Sequence, residues 1–255
     1  MRTPLVVANW KMHKTVREAL AFAVDFRQRV ADRRDVDIVV APSFTALHAV
    51  AGAFVDTPVR VAGQNLHPEP HGAFTGEVSA GMLKEAGATF VIIGHSERRQ
   101  LFGDTDEAVK AKVRAAVGAE LIPIVCVGET LAEREADQTF AVLDRQLEAG
   151  LNGLSSTQAR GLVVAYEPVW AIGTGQNATP AQAQEAHARI RQRLGSIIGD
   201  TAAKRCRILY GGSVKPANIA SLAEQSDVDG ALIGGASLDA ASFAQIVAKN
   251  AGTAV

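Results

Sequence analysis

The sequence predicts an α/β fold of one domain, a closed (β/α)8 barrel with eight parallel strands. Three observations predict it. Eight short apolar runs, rich in Val and Ile, recur along the 255 residues. Segments with helical spacing lie between most of them. The repeat is about thirty residues, the length of one strand–helix unit. The competing α/β arrangement is an open doubly wound sheet; strand number and chain length favour the barrel.

The first run, residues 5–10, precedes a segment at 15–31 that sets Ala19, Phe22, Ala23 and Phe26 on one helical face. The second, third and fourth runs lie at 36–41, 59–62 and 89–93. Thr105 is a candidate cap for a helical segment at 105–116, ahead of the fifth run at 121–127. The sixth run, 161–166, is followed by helical spacing at 180–194, with Thr179 as cap and Pro180 at the first helical position. The last two runs are 206–210 and 228–233. All eight are continuous rather than alternating, as strands covered on both faces must be. No linker, low-complexity block or shift in composition divides the chain, so one domain is expected over 1–255.

Composition narrows the function. The chain is 47% hydrophobic and carries a net charge of −1, with both signs mixed along it. No basic tract points to nucleic acid, and no apolar stretch approaches the ~20 residues of a membrane span. The amino-terminal segment lacks the pattern of a secretory leader, so the expected compartment is the cytoplasm. Cys126 and Cys206 sit inside apolar runs and are expected as buried thiols rather than a disulfide.

In a barrel, chemistry collects in the loops after the strands' carboxyl ends. Polar and Gly-rich residues do cluster there: Asn9 and Lys11, Asn65, His95, Glu167, Gly211-Gly212-Ser213 and Gly234-Gly235. Glu167 ends an apolar strand, where desolvation is expected to raise its pKa and strengthen it as a base. It can equally be a strand-end carboxylate paired to a cation. The apolar run that follows, bounded by Pro168 and Gly175, suits a lid over residues 168–178 that expels water. Gly173 to Ala178 also matches the dinucleotide pattern G-x-G-x-x-A, but no strand directly precedes it and no acid follows at the required distance. His95 opens a short helical segment, whose positive end favours a neutral imidazole able to donate to a carbonyl; a structural histidine fits the same place. Lys11 either snorkels at the surface or neutralises an anion at the barrel mouth. The two glycine pairs after strands seven and eight suit phosphate bound by backbone N–H groups. His67, Glu69 and His71 do not read as a metal site, because Pro68 and Pro70 forbid the helix that would align them. The loop opened by Asn65 and closed by Glu77, with Phe74 near its tip, is expected to dock against a partner subunit.

Taken together, Ala8-Asn9-Trp10-Lys11-Met12, Gly63-Gln64-Asn65, the 93–99 run around His95, Cys126-Val127-Gly128-Glu129, the 165–175 run around Glu167, the 210–214 run and the 234–238 run resemble the triosephosphate isomerases, in that family's order. The resemblance implies a TIM barrel that interconverts dihydroxyacetone phosphate and D-glyceraldehyde 3-phosphate through an enediolate, in glycolysis and gluconeogenesis. It implies Glu167 as the base, His95 as a neutral proton donor, Lys11 and Asn9 as enediolate stabilisers, and Gly173, Ser213, Gly234 and Gly235 at the phosphate. It implies no metal and no organic cofactor, and a homodimer in which Thr75 reaches the partner's site. Two positions depart from the family: Asp104 where Glu is usual, expected to loosen a buried polar network, and Asp239 where Lys is frequent, which adds a negative charge near the phosphate helix. The rivals are a Schiff-base aldolase, which wants a Lys within a strand, and a non-catalytic binding protein on the same fold.

Overall fold

The computed structural model describes residues 2–172 and 178–251. Its strands are β1 (Leu5–Asn9), β2 (Asp37–Ala41), β3 (Val59–Gly63), β4 (Phe90–Ile93), β5 (Ile122–Val127), β6 (Val163–Tyr166), β7 (Arg207–Tyr210) and β8 (Gly230–Ile233). Each pairs in parallel with the next, and β8 returns to β1. The expected closed barrel is therefore present, and the seam pairs Leu5 with Gly230 and Ala8 with Ile233. Several strands are shorter than the apolar runs that predicted them. Trp10, for example, still donates its N–H to Ala41, but Lys11 turns away at φ 52°, so β1 ends at Asn9.

Side chains alternate between two cores. Leu5, Val7, Val39, Ala62, Phe90, Ile92, Ile124, Val163, Ala165, Leu209 and Leu232 fill the barrel interior. Val6, Ala8, Ile38, Val40, Val91, Val125 and Val164 face the helices, packing with Phe22, Phe26, Val113, Leu147, Ile190 and Phe243. The period of two has a consequence above the barrel. Continuing the inward register of β1 reaches Asn9, and that of β6 reaches Glu167.

The three helices expected from spacing form as Val16–Arg29, Asp106–Gly118 and Pro180–Ile198. Thr15, Thr105 and Thr179 cap them, and Glu18 and Gln182 complete capping boxes. The helices Phe44–Ala53 and Thr139–Leu151, between runs, and Ala240–Ala251, after the last run, lie outside the segments expected from helical spacing. Phe44–Ala53 is apolar nearly throughout, which erases the helical periodicity that a sequence displays.

The 65–77 loop is anchored at its base and exposed at its tip. Buried Lys112 donates from Nζ to Asn65 Oδ1 at 2.9 Å and to Asp104 Oδ2 at 2.7 Å, and Arg98 Nε reaches the same Asp104 oxygen at 3.1 Å. Asp104 therefore closes the polar network it was expected to loosen: the lysine stem brings the cation to the shorter carboxylate. Asp239 is likewise locally engaged, accepting the Ser242 N–H at 2.7 Å at the start of Ala240–Ala251. His67 serves the loop itself, accepting the Glu69 N–H and packing on Phe74 at 4.0 Å. Cys126 and Cys206 are buried and free. Among the described residues, no helix is long and apolar enough to cross a membrane, and no group of three or more His, Cys, Asp or Glu is arranged to hold a metal ion.

Candidate active site

A cavity of about 570 Å³ opens at the carboxyl ends of the strands and is lined by Asn9, Lys11, His95, Glu167, Ser213, Gly234 and Gly235, among others. Seven of the eight site residues expected from sequence thus meet in one place. The eighth, Gly173, lies outside the described residues, as does much of the expected lid.

The loop after β1 is held by its own polar atoms. Asn9 is buried, and its Oδ1 accepts the Lys11 N–H at 3.0 Å. Lys11 takes a left-handed backbone, a cost of roughly 1 kcal/mol for a residue with a Cβ. Gln64 Nε2 offsets this by donating to the Lys11 carbonyl at 2.8 Å and to Ala41 at 3.0 Å. The turn carries the Lys11 side chain over the mouth, next to Gly234: a Cβ there would lie 3.5 Å from Lys11 Cε. Its Nζ is 2.6 Å from Glu97 Oε1.

After β4, Gly94 turns the chain at φ 71° and His95 caps the helix Ser96–Leu101. The cap is the imidazole itself. Its Nδ1 accepts the Glu97 N–H at 3.2 Å, so the ring proton of the neutral form is on Nε2. That Nε2 lies 3.0 Å from Glu167 Oε1, and Glu167 Oε2 accepts the Ser96 N–H at 2.9 Å.

This pairing overturns one expectation. Burial does push the Glu167 pKa up, but His95, the Ser96 N–H and Lys11 together outweigh it, and the carboxyl is held below its ordinary value rather than above it. The same contact works on His95. Burial lowers its pKa, yet the neighbouring Glu167 and Glu97 carboxylates raise it overall, while the Glu97 N–H at Nδ1 opposes a second ring proton.

The backbone of Glu167 is fixed just as tightly. Its N–H donates to Val127 at 2.8 Å, and its carbonyl faces Gly128 so closely that a Cβ on Gly128 would sit 1.8 Å from the oxygen. Gln146 clamps Gly128 from the other side, accepting its N–H at 2.8 Å and donating to its carbonyl at 3.2 Å. Beyond Glu167, the 3₁₀ turn Val169–Ala171 begins the segment expected as a lid. Glu129 Oε1 accepts from Trp170 Nε1 at 2.9 Å, from Tyr166 Oη at 3.1 Å and from Arg134 at 3.2 Å. On the far side of 173–177, the Ala178 N–H donates to Tyr210 Oη at 3.2 Å.

Several of these partners were given no role from sequence. Glu129 is a polar residue just after β5, although it continues the outward register of Val125 and Val127 rather than the inward one that reaches Glu167. Gln64 sits beside Asn65, just after β3. The Ser96 N–H and Gln146 carry no such signal, since one is a backbone group and the other lies within a helix.

The family model described as Triosephosphate isomerase matches residues 4–250. Over 251 residues the chain is 57% identical to the triosephosphate isomerase of Symbiobacterium thermophilum, covering 98% of each chain. It is 53% identical to that of Syntrophotalea carbinolica, over 97% of this chain and 98% of the other. The crystal structure of triosephosphate isomerase from Bartonella henselae superimposes with a TM-score of 0.88 at 41% identity, over 97% of this chain and 98% of that one. Similarity this strong spans every strand that feeds the cavity, and the chain belongs to the triosephosphate isomerase family.

Proposed function

We propose that Glu167 is the catalytic base of the reaction this family membership brings, the interconversion of dihydroxyacetone phosphate and D-glyceraldehyde 3-phosphate in glycolysis, run in reverse in gluconeogenesis. The observation that carries the assignment is the single cavity in which Glu167, His95, Lys11 and Asn9 face the glycine-rich ends of β7 and β8. Glu167 leaves His95 and Ser96 to take a proton from the carbon beside the carbonyl. His95 donates from Nε2 to the carbonyl oxygen and relays protons between the two oxygens. Lys11 and the Asn9 amide stabilise the enediolate charge. Glu167 then returns its proton to the adjacent carbon. The carbonyl already acidifies the C–H bond, so no step calls for a metal or an organic cofactor. Ser213, Gly234 and Gly235 hold the phosphate, with Gly173 assigned there from the sequence resemblance. Residues 168–178 exclude water and keep the enediolate from losing its phosphate.

The chain acts as one domain over 1–255, in the cytoplasm, as a homodimer through the loop from Asn65 to Glu77. Exposed Met12, Phe44, Phe74, Met82, Leu101 and Phe102 support the dimer. They follow β1, β2, β3 and β4, four adjacent strands, so they share one half of the barrel rim. Exposed Thr75 at the loop tip is the residue that reaches the partner's cavity.

The test is a coupled assay on purified protein without added metal. Wild type turns over glyceraldehyde 3-phosphate, and Glu167→Ala does not; equal rates sink the assignment. Ultracentrifugation at micromolar concentration that shows a fully active monomer removes the dimer.

A further inference from the structure

His187 lies on the helix Pro180–Ile198, outside the cavity, and is completely buried. Its Nδ1 is 3.2 Å from the Asp227 carbonyl. A carbonyl only accepts, so the proton of the neutral ring is on Nδ1. Nε2 then presents a lone pair, and among the described residues it has no hydrogen-bond partner. An unpaired buried acceptor is costly enough to ask what the ring does in return.

The ring packs against two tyrosines that are register neighbours on adjacent strands. Its centroid lies 5.8 Å from that of Tyr166 with the planes at 87°, and 6.5 Å from that of Tyr210 with the planes at 29°. These tyrosines end β6 and β7. Tyr166 is bonded through the chain to Glu167. Tyr210 leads into Gly211-Gly212-Ser213, and its hydroxyl folds back on that loop, where a Cβ on Gly212 would lie 2.3 Å from it. The same two hydroxyls engage Glu129, and with it Trp170, and the Ala178 N–H.

We propose that His187 is a positioning residue: its planar ring is the spacer that sets the base-bearing end of β6 against the phosphate-bearing end of β7. Leucine could fill the volume but not with a planar ring; the imidazole supplies one, and its tilt is set through Asp227, which is itself held by Arg191 and Gln184. Burial, the largest influence, drives the imidazole pKa down to about 4, with Arg191 acting in the same direction and the Asp227 and Ile208 backbone groups and the Asp227 carboxylate opposing. The spacer therefore stays uncharged at neutral pH.

The inference rests on the assignment of Glu167 and the phosphate loop made above, and its test separates the two. Wild type and Glu167→Ala first establish the reaction. His187→Ala is then expected to lower kcat/KM about 10- to 100-fold, the usual penalty for about 1 Å of misplacement. It is also expected to release more inorganic phosphate per isomerisation, because an enediolate whose phosphate is no longer in register breaks its C–O bond and expels phosphate. His187→Phe keeps the planar spacer and is expected to recover most of both losses. A purely structural role lowers the melting temperature in both variants without moving the phosphate-release ratio. An unchanged ratio in folded His187→Ala, or equal loss in the alanine and phenylalanine variants, overturns the proposal. Should the alanine variant not fold, His187→Leu, which fills space without a planar ring, takes its place. A third reading uses wild type alone: imidazole ¹⁵N resonances at pH 7 must show a neutral ring protonated on Nδ1, and any other form overturns the proposal.

Discussion

Gly128→Ala adds one methyl group at a residue that does not line the cavity, and should lower catalysis about 100-fold or more. A Cβ on Gly128 would lie 1.8 Å from the Glu167 carbonyl oxygen, 2.6 Å from its carbon and 3.2 Å from its Cα. All three are backbone atoms, so no rotamer relieves the clash. Restoring van der Waals separation moves the ends of β5 and β6 apart by roughly 1.5 Å. The bond from the Glu167 N–H to Val127, at 2.8 Å, is the first to be lost, and the Gln146 clamp on Gly128 resists the alternative movement. A misplacement of this size costs about 10²-fold or more when the displaced group is a base that must meet one carbon. Overpacking adds a stability loss of about 1–3 kcal/mol. The assay is kcat/KM in the coupled reaction beside urea unfolding. Gly52→Ala is the control: nothing lies within 4 Å of its added Cβ, and in the helix Phe44–Ala53 the change should be neutral or stabilising by up to about 1 kcal/mol. Gly128→Ala that retains kcat/KM within about threefold of wild type would refute the claim that this contact sets the base.

Three further outcomes are expected. Lys112→Met leaves Asn65 without its buried donor and Asp104 with Arg98 alone, and should cost about 2–3 kcal/mol in urea unfolding; a loss under about 1 kcal/mol counts against the network as the anchor of the 65–77 loop. His187 has a folded pKa of about 4, below the ordinary 6.5, so its contribution is present above 6.5 and fades as the pH falls toward 4; at roughly 1.4 kcal/mol per pH unit the total is about 3 kcal/mol. Unfolding at pH 7 and pH 4.5 should show His187→Phe losing less stability with acid than wild type does. Burial pushes the Cys126 thiol well up, and that of Cys206 up to about 12, so a thiol reagent should label neither until urea exposes both; rapid labelling of the folded protein contradicts their burial.

Much of the site was legible because strand periodicity and barrel topology act together. The period of two points Asn9 and Glu167 inward, and parallel closure brings all the strands' carboxyl ends to one mouth. Neither step needs knowledge of a contact. Glu129 also follows a strand end, but on the outward register of Val125 and Val127, and its role is to gather Tyr166, Trp170 and Arg134, which only folding brings together. The helix Phe44–Ala53 escaped notice for the opposite reason: it is so uniformly apolar that it shows no face.

The sequence by itself determined the architecture, the family and the position of each chemical group along the chain. These follow from local periodicity and from residue order, which a linear chain carries in full. Tertiary structure alone decided the charge balance of the site. Strand-end burial argued for a raised Glu167 pKa, but His95 and the Ser96 N–H, more than seventy positions away in the chain, reverse it. It also decided that Asp104 suffices where a longer carboxylate was expected, because Lys112 comes to meet it. Electrostatic terms of opposite sign are set by distances of 3 Å between residues remote in sequence, and their sum exists only once the barrel has closed.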